Sequence, residues 1–209
     1  MVEIHNVYCV GRNYRLHAAE LGNDVPSAPM LFMKPSHAAV QTVEGILRVP
    51  GTQGSVHYEA ELVVRIGQPY RPGMAPDELF SHLTVGLDLT LRSLQDELKA
   101  KGLPWLSAKG FRNSAPLGRW LAYPGEASLA GQDFGLRLNG REVQRGNAKD
   151  MVFGLRELAD FVGQAFGLGP GDILFTGTPA GVGSLSDGDV LEWWYGDRTL
   201  GQAKVCMDP

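Results

Sequence analysis

The chain has 209 residues, enough for one large domain with a full core and short for two. Its composition is ordinary for a globular protein, 44% hydrophobic and 20% charged, and a formal net charge of −4 without a dense Lys/Arg cluster excludes phosphate-backbone binding as its main business. Met1 to His5 show no basic segment leading into an apolar one, and no apolar run is long enough to span a bilayer, so the expectation is a cytoplasmic protein with neither nucleic acid nor membrane as partner.

Two cysteines, Cys9 and Cys206, stand near opposite ends and read as buried free thiols, since a disulfide framework needs more. The 27 glycines and 13 prolines are spread along the chain, which suggests a turn-rich, mostly β architecture.

In chain order, Ile4 to Val10 alternate as a first strand that ends in Gly11-Arg12-Asn13-Tyr14. A short helix follows and stops at Gly22-Asn23; on it His17 and Glu20 are three apart and share a face. A carboxylate beside an imidazole fixes its tautomer and raises its basicity, so the pair reads either as a general base or as an incidental surface ion pair. Met30 to Met33 form a short apolar run closed by Lys34-Pro35, and Gln41 to Val49 read as an antiparallel partner of the strand that comes next.

That strand, Val56 to Val64, is the centre of the sequence. With period two, Tyr58, Ala60, Leu62, Val64 and Ile66 form one apolar face, while Glu59 and Glu61 share the other with Cα atoms about 6.6 Å apart. Partly desolvated, the two carboxylates repel unless a cation lies between them, and a hard divalent ion with a third oxygen ligand is the natural remedy. The alternative is an exposed face of solvated acids.

Asp77 to His82 suggest a turn or two of helix, and Leu83 to Leu89 a buried strand with Asp88 at its end. Thr90 is placed to cap a helix from Leu91 to Lys101, closed by Gly102. On its first turns Arg92 and Gln95 offer donors for an oxyanion near an ion held by Asp88, or else lie on a solvated face. Lys109 to Asn113 read as irregular. Phe134 to Leu138, Asn139-Gly140 and Arg141 to Gln144 make a two-residue hairpin. Leu155, Leu158, Ala159, Val162 and Phe166 follow helical spacing up to Gly167. A strand from Asp172 to Phe175 runs into the glycine-rich loop Gly177 to Gly183, which lacks the pattern of either nucleotide-binding loop but whose amides and Thr178 hydroxyl suit a carboxylate. Val190 to Tyr195 and Thr199 to Val205 form a final hairpin.

Together these pieces resemble the fumarylacetoacetate hydrolase family. The resemblance rests on Gly11-Arg12-Asn13-Tyr14 with His17 and Glu20; on Gly54 to Glu61; on Asp88-Leu89-Thr90 with Arg92 and Gln95; on Gly102 to Trp105 with Lys109; and on Gly177-Thr178-Pro179. It implies one catalytic domain over 1–209 of α+β, mostly β class, a mixed β-roll or β-sandwich with a few packed helices, acting as a homodimer, with a mobile segment near His17 that orders over the ligand. It further implies that Glu59, Glu61 and Asp88 bind Mg²⁺ or Mn²⁺ and that His17 with Glu20 activates water. Arg92, Gln95 and Lys109 then stabilise oxyanions or hold the substrate, and Arg12, Asn13 and Thr178 contact a small 2-oxo acid.

The short chain is most similar to the acylpyruvate hydrolase and oxaloacetate decarboxylase branch. The expected activity is C–C hydrolysis of 2,4-dioxo acids to pyruvate, with oxaloacetate decarboxylation beside it. Isomerisation or hydration of dienoic 2-oxo acids is the alternative, and a metal-stabilised scaffold without chemistry the remote one. Two departures from the family pattern stand out: Tyr58 where many relatives have His, and Arg112 where many have an acid after Phe111.

Overall fold

The computed structural model describes residues 3–20, 22 and 24–209. Strand β1 (Val7–Gly11) leads through Arg12 to Tyr14 into helix α1 (Arg15–Glu20), followed by β2 (Met30–Lys34), β3 (Ala39–Gln41) and β4 (Ile46–Pro50). Next come β5 (Val56–Tyr58), β6 (Ala60–Ile66), α2 (Pro76–Leu79), β7 (Phe80–Leu87), β8 (Thr90–Leu91), α3 (Arg92–Ala100) and α4 (Leu106–Lys109). The remainder comprises β9 (Ala115–Leu117), β10 (Leu121–Ala122), α5 (Glu126–Leu129), β11 (Asp133–Leu138), β12 (Arg141–Asn147), α6 (Leu155–Ala165), β13 (Ile173–Phe175), β14 (Gly183–Ser184), β15 (Val190–Tyr195) and β16 (Arg198–Asp208). The expected mostly β fold with a few helices is what forms.

Three sheets share the strands. The largest runs β2-β1-β13-β6-β7-β9-β3, with β10 also on β7; a second runs β12-β11-β15-β16-β4, and a small one β14-β5-β8. The main core lies between them and takes Tyr58, Ala60, Leu62, Val64 and Ile66 from one face of the central strand, as its period-two pattern predicts. Val63, from the other face, packs with Val7, Cys9, Ile173 and Phe175 in a second cluster. Strand β6 is therefore apolar on both sides except where it carries Glu61 and, at its far end, Arg65.

The expected Val56–Val64 strand is broken at Glu59, and that break positions the site. Strands β5 and β6 belong to different sheets, as do β8 and β7, which pair with them antiparallel. The register continues across the corner: His57 faces Thr90 and Ala60 faces Leu87. Glu59 thus falls opposite Asp88, whose N–H donates to the Glu59 carbonyl at 2.8 Å. Glu61, two residues along, faces Gly86.

Several expectations are corrected. Gln41–Val49 is not the partner of the carboxylate strand; β3 pairs parallel with β9, and β4 parallel with β16, because pairing here is set by burial across the fold and not by adjacency in sequence. The helix expected at Asp77–His82 is the shorter α2, and Phe80 already begins β7. Thr90 caps nothing: its hydroxyl donates to the Asp88 carbonyl at 3.3 Å, and α3 starts without a side-chain cap. Lys109 ends the helical turn α4 and is not in irregular chain.

Phe166, expected on the buried face of α6, lies just past its last turn and is exposed, and Gly167, at φ +82°, then leads the chain away. The hairpin of β11 and β12 forms as expected, with Asn139 and Gly140 both at positive φ. Cys9 and Cys206 are free; Cys9 is buried and Cys206 partly so. The stop expected of Gly22-Asn23 falls partly outside the described residues; Gly22 itself has φ +64°.

Candidate active site and metal centre

The site forms where chain ends meet at one edge of the large sheet. Strands β1 and β13 are parallel, and β6 is antiparallel to β13, so the exits of β1 and β13 lie beside the entry of β6 and the end of β7. Arg12 and His17 come from the first exit, Thr178 from the second, Glu59 and Glu61 from the entry and Asp88 from the end of β7. Helix α3 adds Arg92 and Gln95, and α4 adds Lys109. All nine residues line one cleft of about 40 Å³ of free space. Of the residues expected in the site, Asn13 and Glu20 are not in its wall.

One carboxylate oxygen from each of Glu59, Glu61 and Asp88 lies within 4.8 Å of the others, and all three residues are buried. The donors are all hard oxygens, which suit a divalent cation such as Mg²⁺ or Mn²⁺. The negative charge is answered by three cations. Lys109 Nζ donates to Glu59 Oε2 at 2.9 Å, Asp88 Oδ2 at 2.6 Å and Thr90 Oγ1 at 2.6 Å. Arg92 donates to Glu59 Oε1. Lys34 Nζ stands 2.8 Å from Asp88 Oδ1, at an angle that leaves this oxygen without a directional hydrogen bond.

Burial opposes the charge on Glu59, but Lys109, Arg92 and His17 outweigh it and hold its carboxyl well below the usual range. Glu61 goes the other way. Burial and the neighbouring Asp88 and Glu59 raise its carboxyl well above the usual range, and no cation lies within 4.0 Å of it among the described residues. Its one hydrogen-bond partner among the described residues is the Gly177 N–H, at 2.7 Å from Oε2. The fit to a cation is visible here: Glu61 and Asp88 Oδ1 are buried acceptors whose bonding the protein leaves incomplete.

On the opposite wall, His17 is 5% exposed and its Nδ1 is 3.3 Å from Glu20 Oε2, while Glu20 also accepts from the Gly181 N–H at 3.1 Å. Glu20 thus ties α1 to the glycine-rich loop and orients the ring without entering the cleft. The Gln95 oxygen accepts from Arg92 at 2.7 Å, which fixes the amide flip and leaves its nitrogen as a donor to the cleft.

Two expected substrate contacts prove to be committed elsewhere. Asn13 is fully buried; its Nδ2 donates to the carbonyls of Phe153 (3.1 Å) and Thr176 (2.8 Å), and its Oδ1 accepts from the Phe153 N–H (2.8 Å). Thr178 keeps a place in the wall, but its hydroxyl donates to the Ala60 carbonyl at 2.8 Å and accepts from Gln144 at 2.9 Å. Sequence reasoning missed Lys34 and Gln144, and although it offered the Gly177–Gly183 amides to a carboxylate it did not identify Glu61 as the one that Gly177 meets. A lysine closing an apolar run was the one local signal for the first. Gly177, at φ +98°, has no room for a Cβ, which would meet that of Asn13 at 2.6 Å. Arg112 is exposed and lines a separate hollow with Arg48 and Asp208, so its departure from the family pattern does not reach the carboxylates.

Residues 6–206 match the fumarylacetoacetate (FAA) hydrolase C-terminal family. The chain belongs to the fumarylacetoacetate hydrolase family. It is 38% identical over 194 residues to the oxaloacetate tautomerase fahd-1, mitochondrial, of Caenorhabditis elegans, covering 92% of this chain and 90% of that protein. It is 38% identical over 203 residues to the oxaloacetate tautomerase YcgM of Escherichia coli, covering 94% and 91%. Among solved structures, the fumarylpyruvate hydrolase of Pseudomonas aeruginosa, in complex with Mn²⁺ and pyruvate, superposes with a TM-score of 0.87 at 34% identity, covering 99% of this chain and 91% of that one. Family members are thus named as tautomerases and hydrolases alike. No helix of the described residues is long and apolar enough to cross a membrane.

Proposed function

We propose that the chain is a divalent-cation-dependent enzyme acting at the carbon next to the keto group of short 2-oxo acids, with keto–enol interconversion of oxaloacetate as its first reaction. The observation that carries this reading is a buried imidazole, His17, in one cleft with three buried carboxylates and an array of cations. The names of the similar worm and bacterial proteins support oxaloacetate as substrate.

A Mg²⁺ or Mn²⁺ ion held by Glu59, Glu61 and Asp88 would supply a Lewis acid for negative charge developing on the 2-oxo oxygen. The residues of the chain do the rest. Neutral His17 takes a proton from C3, and Glu20, fixed by the Gly181 N–H, stabilises the imidazolium that results. Arg92 and the Gln95 amide face the developing oxyanion as donors. The proton from C3 then passes from His17 to the 2-oxo oxygen, so one proton leaves carbon and one arrives on oxygen. The buried, narrow cleft limits water and strengthens each of these interactions.

Hydrolysis of acylpyruvates is the second reading, favoured by the likeness to a fumarylpyruvate hydrolase holding pyruvate. There His17 would take a proton from water, hydroxide would attack the distal carbonyl, and the released three-carbon fragment would leave as an enolate that is protonated to pyruvate. Decarboxylation of oxaloacetate needs the same stabilisation of an enolate but no attacking water.

The test uses metal-stripped protein and protein loaded with Mg²⁺ or Mn²⁺. Decay of the enol absorbance of oxaloacetate is followed beside pyruvate release from oxaloacetate, acetylpyruvate and fumarylpyruvate. Metal-dependent enol decay faster than pyruvate release supports tautomerisation; pyruvate release from the acylpyruvates alone supports hydrolysis. Rates equal to those of buffer with the same ion would refute both.

A further inference from the structure

Helix α3 carries more of the site than the two donors near its start. Arg92, Gln95 and Lys99 fall at i, i+3 and i+7, one stripe of the helix, and all three line the cleft. Leu94 and Leu98 pack on the core, while Ser93, Asp96, Glu97 and Ala100 are exposed. From Arg92 to Lys99 the helix rises about 10.5 Å. Arg92 is bound to Glu59 at the inner end, so Lys99 stands at the outer end of the same wall.

Lys99 is held for use there. Its Nζ lies 5.4 Å from the centre of the Trp105 ring, another residue of the cleft wall, so the stem is draped over an aromatic face. Its one carboxylate neighbour among the described residues, Asp96, is at 3.9 Å and largely exposed, an edge contact of little worth. Arg12, across the mouth, has no carboxylate within 4.0 Å among the described residues. Burial, then Arg92, Arg12 and Lys109, lowers the Lys99 ammonium, against the pull of Asp96, as expected when four cations share one cleft. Four cations against three carboxylates line the cleft, and a divalent ion raises the positive excess to three. A substrate carrying a single negative charge leaves most of that excess unanswered.

We infer that Lys99 is the specificity-determining contact for a second, distal carboxylate of the substrate, and that the cleft selects dicarboxylic over monocarboxylic 2-oxo acids. The inference rests on the function proposed above and names the substrate class of that site. The 2-oxo acid head lies toward Glu59, Glu61 and Asp88, and the far carboxylate lies under the Lys99 ammonium, with Arg12 beside it. An apolar tail in that position would desolvate Lys99 without replacing its water.

The test is a binding comparison that needs no turnover. Mn²⁺-loaded protein is titrated calorimetrically with 2-oxoglutarate and with 2-oxopentanoate, which has the same head and a methyl group in place of the distal carboxylate. Wild type should prefer 2-oxoglutarate about tenfold, equivalent to about 1.4 kcal/mol. Lys99→Met, which keeps the stem over Trp105 and loses the charge, should bring the two affinities within about twofold, while Lys99→Arg should restore the preference. A preference unchanged in Lys99→Met, or absent from wild type, overturns the inference and leaves the metal-centred reading standing. Failure of both acids to bind Mn²⁺-loaded wild type would remove the two together. An equal loss for both acids in Lys99→Met would make the residue a general attractor of anions and also overturn the assignment.

Discussion

Neutralising one ligand should stabilise the metal-free protein and cripple the metal-loaded one, and Glu61 is the residue to choose. It is 2% exposed, without a cation neighbour, and its carboxyl is raised first by burial and then by Asp88 and Glu59. Glu61→Gln keeps the volume and leaves an oxygen to accept from the Gly177 N–H. Each unit by which a carboxyl is raised in the fold costs about 1.4 kcal/mol, and a buried, uncompensated ion costs several, so a gain of about 2 kcal/mol is expected for the variant at pH 7 in chelator. For a chain of this size that is about 4–8 °C in Tm.

The sign with pH follows from the raised value. The folded protein binds the Glu61 proton more tightly than the unfolded chain does. This group's contribution is therefore fully present below its unfolded value, about 4.3, and is lost as pH rises toward the folded one. The advantage of Glu61→Gln should accordingly be small near pH 4 and grow toward neutrality. In saturating Mn²⁺ the order reverses, because wild type gains binding energy that the variant lacks. Thermal melts in EDTA and in Mn²⁺, at several pH values, read all of this. A variant less stable than wild type in EDTA at pH 7, or stabilised equally by Mn²⁺, would refute the reasoning.

His17→Ala should lower metal-dependent turnover about 10²–10⁴-fold with Mn²⁺ affinity unchanged, as measured by enol decay and by calorimetry; a loss of affinity instead would make His17 part of the metal centre. Gly177→Ala forces a Cβ against Asn13 at positive φ and should destabilise the fold by about 1–3 kcal/mol, read by denaturant unfolding, with an unchanged midpoint counting against the close approach. Lys109→Met should bind Mn²⁺ more tightly than wild type, since no ammonium then competes for Glu59 and Asp88, while losing activity; weaker binding would contradict this competition. Light scattering is expected to give a homodimer, with the exposed apolar strip of Met33, Leu103 and Leu106 as the surface to be covered, and a monomer would end that expectation.

The parts of the site legible in sequence were those written in short-range pattern. Alternation from Tyr58 to Ile66 placed Glu59 and Glu61 on one side of a buried strand, and a spacing of three joined His17 to Glu20 and Arg92 to Gln95. That face survives although the strand breaks at Glu59, because the register with β7 and β8 runs on through the corner. The strand's true partner could not be read. Adjacency in sequence favoured Gln41–Val49, whereas burial on both faces of β6 selects β7 and β13.

The groups that complete the site were equally hidden. Lys34 meets the Leu89 carbonyl 55 positions away, Gln144 the Ala60 amide 84 away, and Gly177 meets Glu61 across 116. A buried polar residue is defined by the partner that satisfies it, and no local pattern announces a partner so far along the chain. Asn13 is the converse case: beside Arg12 it looked like a substrate contact, but its side-chain bonds pin the exit of β1 to Phe153 and Thr176.

Charge balance links these observations to chemistry. Glu59 and Asp88 are paired with three cations, yet the contacts are unequal in kind. Lys34 is fully buried and also donates to the carbonyls of Leu89 and Lys109, so its ammonium is fixed by the backbone as well as by Asp88. Lys109 Nζ, by contrast, bonds only side chains, and it stands 4.9 Å from the Phe32 ring in the cleft wall. A divalent ion held by Glu59, Glu61 and Asp88 would draw on two carboxylates that Lys109 also bonds. Whatever bonds Lys109 gives up to it become donors facing the cleft, while Lys34 keeps the Lys109 backbone in place. On the function proposed above, the same lysine would balance the carboxylates and, beside a bound ion, meet an oxyanion. The two roles require one rigid cation behind the site and one adaptable cation in front of it, and Lys34 and Lys109 are placed in that way.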